Sequence, residues 1–175
     1  MKSIKKINNP ILKISIFILF LILIIGWCYI KFKNAENKEE QISVLQTADL
    51  CKAPERAVVA RVVDGDTIVV EGDWHIRLLE IDTDEIGEVC YDNAKQRLEE
   101  LVLNKEVVLE KDRSDVDKYG RCLRTVFLNG TNIDLQLVTE GLAVSAFYEP
   151  DIKYKSEILQ AENQAQQNKV GCKYK

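Results

Sequence analysis

Short blocks of apolar and polar residues alternate through the middle of this chain, and the period of the alternation changes along it. Residues 57–63 are rich in β-branched side chains and predict a strand. Asp64-Gly65 is a turn signal, residues 67–70 predict a second strand, Glu71-Gly72-Asp73 turns the chain again, and residues 74–79 predict a third. From 91 to 103 the period lengthens. Ala94, Leu98, Leu101 and Val102 recur at i, i+4, i+7 and i+8, which is one face of a helix. Residues 106–110 predict a fourth strand, 111–120 a polar loop, and 121–128 a fifth strand turned by Asn129-Gly130. Asp134 is placed to cap a short helix carrying Leu135, Leu137 and Val138 and ending at Gly141. A last helix is predicted over about 152–169, with Ile158, Leu159, Ala161 and Ala165 inward and Gly171 marking its end. Five strands with a helix between the third and fourth follow the order of an OB-type barrel. With three helices in all, the predicted class is α+β, mainly β. No repeat or low-complexity tract interrupts it.

The N-terminus has a different character. Residues 14–30 are apolar except for Ser15 and Gly26, and Lys2, Lys5, Lys6 and Lys13 precede them. At a rise of about 1.5 Å per residue, this run is at the short end of what spans a bilayer. The lysines favour a cytoplasmic N-terminus over residues 1–13. A cleaved signal peptide would want small residues just after the run, and Trp27-Cys28-Tyr29-Ile30-Lys31 is bulky. Lipidation of Cys28 is disfavoured by Trp27 directly before it. The expectation is therefore an uncleaved transmembrane anchor, a single pass in the cell membrane. Cleavage would give a secreted protein, and either way the rest of the chain leaves the cytoplasm. The flanking charges argue against a buried core helix. Residues 31–55 are polar with little periodicity and read as a tether, leaving residues 56–175 as the folded domain.

Charge complicates any guess at a polyanionic partner. The chain has 24 Lys and Arg against 28 Asp and Glu; without the four N-terminal lysines the balance is 20 against 28, near −8. Non-specific attraction to nucleic acid needs positive charge over the phosphates, so such affinity would have to come from a local basic site and a metal. Of the five cysteines, Cys28 lies in the apolar run. Cys51, Cys90, Cys122 and Cys172 are an even number in a chain expected outside the cytoplasm, which suggests disulfides. Four cysteines allow three pairings, and free buried cysteines are the alternative. Metal ligation is less favoured because no C-x-x-C spacing occurs.

Three stretches carry candidate chemistry: Asp64-Gly65-Asp66-Thr67, then residues 77–85 (RLLEIDTDE), then Asp117-Lys118-Tyr119-Gly120-Arg121. An Asp-Gly pair between strands is more often a plain hairpin turn than a site. A second acidic cluster one hairpin later changes that. In an antiparallel meander, the first turn and the end of the third strand lie at the same end of the sheet. Asp66 and Asp82 then meet around one hard cation, for which carboxylate oxygens are suited. Strict alternation puts Arg77 and Asp82 on opposite faces, so both serve one site only if the chain bends after about Leu79. Arginine forks match a phosphate bidentately and keep their charge. The lone His75, mid-strand, reads as structural.

In order and spacing, these stretches resemble the staphylococcal-nuclease-like (thermonuclease) family, over about residues 58 to 172. The resemblance implies an OB-type barrel with a Ca²⁺ site formed by Asp66, Asp82 and the carbonyl of Thr83. It implies a phosphate clamp of Arg77 and Arg121, and Glu85 as the group that accepts a proton from the attacking water or orients it. Lys118 and Tyr119 match positions that touch a neighbouring phosphate, and Tyr148 lies near one that packs by the bound nucleotide. The implied activity is hydrolysis of DNA and RNA with little sequence preference, by a monomer, leaving 3′-phosphate ends. A disulfide between Cys90 and Cys172 is also implied, with Cys122 expected to stay unpaired inside its strand.

The chain departs from the family at Asp84, where proline is usual, and in a short connection over residues 86–90. Two other readings compete. One is a non-catalytic OB module that binds nucleic acid or protein; such modules lose the carboxylates or arginines that this chain keeps. The other is a phosphodiesterase acting on small molecules, which the acidic surface would suit.

Overall fold

The computed structural model describes residues 21–34 and 50–175. Its chain divides into two units, Met1–Ala48 and Asp49–Lys175. In the first, residues 21–34 form a helix, α1, with exposed side chains. The basic segment 1–13, the start of the apolar run and most of the tether lie outside the described residues. Among the described residues no helix is long and apolar enough to cross a membrane.

The second unit is built on strands β1 (Arg56–Val62), β2 (Thr67–Val70), β3 (Trp74–Leu78), β5 (Glu106–Glu110) and β6 (Cys122–Leu128). The antiparallel pairs β1–β2, β2–β3, β1–β5 and β5–β6 are closed by β3 running parallel to β6, which makes a barrel without free edges. One strand serves two neighbours in β1: Arg56 to Val58 pair with β5, and beyond them Val59 to Val62 pair with β2 across an irregular register between Val59 and Arg61. Such an irregularity sharpens the local twist and turns the strand round the corner of the barrel. Three two-residue strands were not legible in the sequence: β4 (Ile81–Asp82), β7 (Thr131–Asn132) and β8 (Val144–Ser145). They are too short to show a period. β7 extends the sheet beside β6, and β4 pairs only with β8.

Alternation decides the core. In β5, Val107 and Leu109 are buried between more exposed neighbours, whereas all four residues of β2 are buried. Helix α2 (Tyr91–Val102) adds Ala94, Leu98 and Val102, α3 (Ile133–Thr139) adds Ile133, Leu137 and Val138, and α4 (Lys155–Gln167) adds Ile158, Ala161 and Ala165. Gly65 lies where α2 meets the first turn. A Cβ there would come within 2.7 Å of Ala94 Cβ and of Thr83 Oγ1, so only glycine lets the helix and the Thr83 segment close on that turn.

Several expectations are corrected. Asn132, not Asp134, caps α3: its Oδ1 accepts the Leu135 N–H at 3.0 Å. Asp134 is inside the first turn and fully buried, and its carboxylate accepts the Val126 N–H at 3.2 Å. Leu159 is 38% exposed, one position round from the Ile158, Ala161, Ala165 stripe. Helix α4 starts at Lys155 rather than near 152, and ahead of it the N–H groups of Ile152 and Lys153 are held by Asp112 Oδ2 at 2.9 and 3.1 Å.

The cysteines pair as Cys90–Cys172 and Cys51–Cys122. The first agrees with the family resemblance. The second overturns the unpaired Cys122. Ahead of the first strand, Cys51 and Ala53 pack against the core, and Leu109 donates its N–H to the Glu55 carbonyl at 2.7 Å. The folded region therefore begins a few residues before 56. Non-reducing peptide mapping should return these two pairs. The bridges close sequence separations of 71 and 82 residues. Loss of either should destabilise the unit by about 4 kcal/mol on the chain-entropy view, read as a fall in the denaturant midpoint. Free Cys51 and Cys122 in oxidised protein would refute the second pair.

Candidate active site

Register brings the first carboxylate and the first arginine together. Thr67 pairs with Arg77 across β2 and β3, so Asp66, one residue back in the turn, lies beside the Arg77 side chain. Arg77 Nη2 is 3.1 Å from Asp66 Oδ2 and 2.9 Å from Asp82 Oδ1, and Nη1 donates to the Leu78 carbonyl at 2.6 Å. The bend that alternation required is present. Glu80 has φ of 63°, a left-handed conformation that non-glycine residues seldom adopt. It is held by the Leu79 N–H on the Arg124 carbonyl at 3.0 Å and by the Ala146 N–H on the Glu80 carbonyl at 2.9 Å. Beyond it, β4 turns Asp82 back toward Arg77.

Asp66 is buried and strongly held. Its Oδ2 accepts the Thr83 N–H at 3.1 Å and the Thr83 hydroxyl at 3.2 Å, and its Oδ1 accepts the Thr67 hydroxyl at 3.1 Å. Burial pushes its pKa above the ordinary carboxylate range, and Arg77 works against that shift. Asp82 is more than half exposed. Thr83 is buried and does not line the cavity; its observed contacts position Asp66 from behind.

Arg121 is positioned from the other side. It directly precedes β6, and Asp117 organises the turn before it. Asp117 Oδ1 accepts the N–H groups of Tyr119 (2.8 Å) and Arg121 (3.0 Å), while Oδ2 accepts Arg121 Nε at 2.7 Å. Burial opposes ionisation of Asp117, yet the Arg121 guanidinium and these N–H groups outweigh it and hold its pKa below the usual range. Nε is committed to Asp117, and the two terminal nitrogens of Arg121 have no hydrogen bond to the described residues. The Tyr119 ring carries Lys118 Nζ at 4.9 Å and the Arg121 guanidinium at 5.5 Å from its centroid.

A cavity of about 560 Å³ collects Asp66, Arg77, Asp82, Glu85, Lys118, Tyr119, Arg121 and Tyr148. All the expected site residues except Thr83 therefore share one wall. The Glu85 carboxylate has no hydrogen-bond partner among the described residues, while its N–H is held by Glu88 Oε2 at 2.8 Å. Tyr148 is exposed at the mouth, and His75 is exposed outside the cavity. Sequence reasoning assigned no role to Asp117, although it opens the motif and a carboxylate at the start of a turn is itself a signal. It also missed Glu80 and Asp151 on the same wall.

Asp134 is fully buried beneath this site and feels the positive charge of Arg77. Its burial pushes the carboxyl well above the ordinary range, against the N–H of Val126 and the positive charge of Arg77, and its Oδ2 has no partner. A pKa raised on folding means that stability falls as pH rises above the unfolded value, about 3.9. Asp134→Asn keeps an acceptor for Val126 and does not titrate. Its stability relative to wild type should therefore improve steadily from pH 4 to pH 8 in urea unfolding; a gap that does not change with pH would refute the reading.

The sequence model described as "Staphylococcal nuclease homologue" matches residues 75–172, from β3 to the last cysteine. The chain is 37% identical over 138 residues to the thermonuclease of Staphylococcus hyicus, covering 71% of this chain and 79% of that one. It is 36% identical over 129 residues to the thermonuclease of Staphylococcus intermedius, covering 66% and 74%. With endonuclease YncB of Bacillus subtilis it shares 33% identity over 148 residues, covering 78% and 70%.

Proposed function

The chain belongs to the staphylococcal nuclease homologue family, and from that premise we propose that it is a Ca²⁺-dependent nuclease hydrolysing phosphodiester bonds of DNA and RNA with little sequence preference. One observation carries the reading: two arginines and two carboxylates from three separate stretches face one cavity, with Glu85 beside them. The donor set fits a hard divalent cation. Asp66 Oδ2 and Asp82 Oδ1 both lie within about 3 Å of the same guanidinium nitrogen, so the two oxygens already share one positive charge. Asp66 and Asp82 would hold the ion, with the Thr83 carbonyl as the third ligand that the family resemblance implies, although Thr83 does not line the cavity; the ion would polarise a phosphate oxygen and lower the pKa of water.

The remaining roles belong to side chains. Arg121, fixed through Nε by Asp117, presents its terminal nitrogens to a phosphate. Arg77 would meet the same phosphate from the carboxylate side by exchanging contacts that its terminal nitrogens make here with Asp66, Asp82 and Leu78, and together the two guanidinium groups would orient it and oppose charge as five-coordinate phosphorus develops. Glu85, unpaired at the cavity, takes the proton of the attacking water. The 5′-oxygen leaves, and products end in 3′-phosphate. Lys118, Tyr119 and Tyr148 hold the neighbouring phosphate and nucleotide. The tyrosines suit single-stranded or frayed substrate, whose bases stack on aromatic rings.

In this reading the enzyme is a monomer on a single-pass anchor formed by residues 14–30, with its barrel outside the cytoplasm. Two disulfides in one small unit support the oxidising location. Plasmid DNA and RNA incubated with the full chain should be degraded with Ca²⁺ and remain intact in chelator, with fragments carrying 3′-phosphate. Intact polymers beside a cleaved dinucleotide ester would instead favour the small-molecule phosphodiesterase, which the acidic surface suits.

A further inference from the structure

The C-terminal tail braces the loop that carries the site. Asp84 stands between Thr83 and Glu85, and its carboxylate is fully engaged. Oδ2 accepts the Cys90 N–H at 2.7 Å, and Oδ1 is ion-paired with Lys173. Both side chains of that pair are largely buried, at 14% and 18% exposure. Lys173 follows Cys172, which is bonded to Cys90, so one covalent and one ionic tie connect the tail to the two ends of the segment 84–90.

The tail is itself anchored. Lys173 donates its N–H to the Gly141 carbonyl at 3.2 Å, and a Cβ on either Gly141 or Gly171 would strike the opposing backbone. The next residue reaches the site by a second route. Tyr174 Oη donates to Glu162 Oε1 at 3.0 Å, and Glu162 accepts the Ser145 N–H at 3.2 Å and the Ser145 hydroxyl. Ser145 pairs with Ile81 in the two-stranded β4–β8 ribbon, where Asp82 pairs with Val144. Residues 173 and 174 therefore tie into the segment 81–85 at two points, Asp84 directly and Ile81 through Glu162 and Ser145.

We infer that Asp84 and Lys173 are positioning residues for catalysis: the buried pair, clamped by the Cys90–Cys172 bond, sets the placement of Thr83 and Glu85. This rests on the nuclease reading above. The physical reason is that residues 86–89 are exposed and Gly87 is at φ of 92°, so the loop has little packing of its own to fix Glu85. A misplacement of about 1 Å at a reacting group costs on the order of a hundredfold in rate.

The test uses the full chain as wild type, Lys173→Met, Lys173→Arg, and Cys90→Ala/Cys172→Ala. Steady-state cleavage of a short oligodeoxynucleotide, Ca²⁺ affinity by titration calorimetry and the thermal midpoint are read for each. Lys173→Met should lower kcat about ten- to a hundredfold with KM little changed and should weaken Ca²⁺ binding. Its midpoint should fall, because Asp84 is left buried without its counter-charge, so rates are read well below that midpoint, where the chain is folded; Lys173→Arg keeps the charge and should keep most of the activity. The cysteine variant should show the same kcat loss. Wild-type kcat and Ca²⁺ affinity in Lys173→Met would overturn the inference alone. A wild type that cleaves nothing would overturn the nuclease reading, and Ca²⁺ affinity would then decide the bracing: unchanged in Lys173→Met, it overturns that too.

Discussion

Arg77→Lys should lower cleavage of single-stranded DNA by orders of magnitude, and Arg121→Lys should do the same by a different route. Lysine keeps the charge at each position and loses the planar fork. At position 77 the guanidinium also ties Asp66 to Asp82 and caps the Leu78 carbonyl. An ammonium on a flexible stem does not make those contacts together, so this variant should lose both turnover and stability. At position 121 Nε is held by Asp117, and in the proposed reading the terminal nitrogens are left for the substrate phosphate. Lysine cannot do both, and the loss should fall on kcat rather than KM, because the contact tightens as charge develops on phosphorus. Steady-state kinetics with both variants separates the cases. Wild-type turnover in the two would end the phosphate-clamp reading.

Loss of the metal should be as severe. Asp66→Asn removes the buried carboxylate charge while leaving one oxygen to accept the Thr83 N–H and an amide N–H that can donate to the Thr67 hydroxyl, so the barrel should stay folded. Ca²⁺-dependent cleavage should vanish. Mg²⁺ should replace Ca²⁺ poorly, because it demands tight octahedral geometry and gives up water reluctantly. Asp66→Ala should be equally inactive and less stable by about 1–3 kcal/mol, since a buried N–H then has no partner. The measurements are cleavage rate against Ca²⁺ concentration and unfolding in urea for both variants. Undiminished cleavage in chelator would sink the metal assignment.

Much of this molecule is written in local pattern. The strand period at 57–63 and 106–110, the helical period at 91–103 and the turn residues between them follow from backbone preference and burial of one face. These are short-range effects that a window of a dozen residues contains. The meeting of Asp66 and Asp82 was also legible, because the order of strands sets which turns share an end of the barrel, whereas the places of Arg77, Glu85 and Arg121 in one site came from the family resemblance.

Other features depended on partners far along the chain. The bend at Glu80 is held by carbonyl and N–H groups of Arg124 and Ala146. Asn132 displaced Asp134 as the cap of α3 because Asp134 is drawn inward to the N–H of Val126. The pairing of Cys51 with Cys122 spans 71 residues. The engagement of Asp84 by Lys173 spans 89 residues, and neither residue carries a local signal for it. A residue's type states what it can bond to. Which of several equivalent partners it meets is decided only when closure of the barrel and docking of the tail bring distant segments into contact.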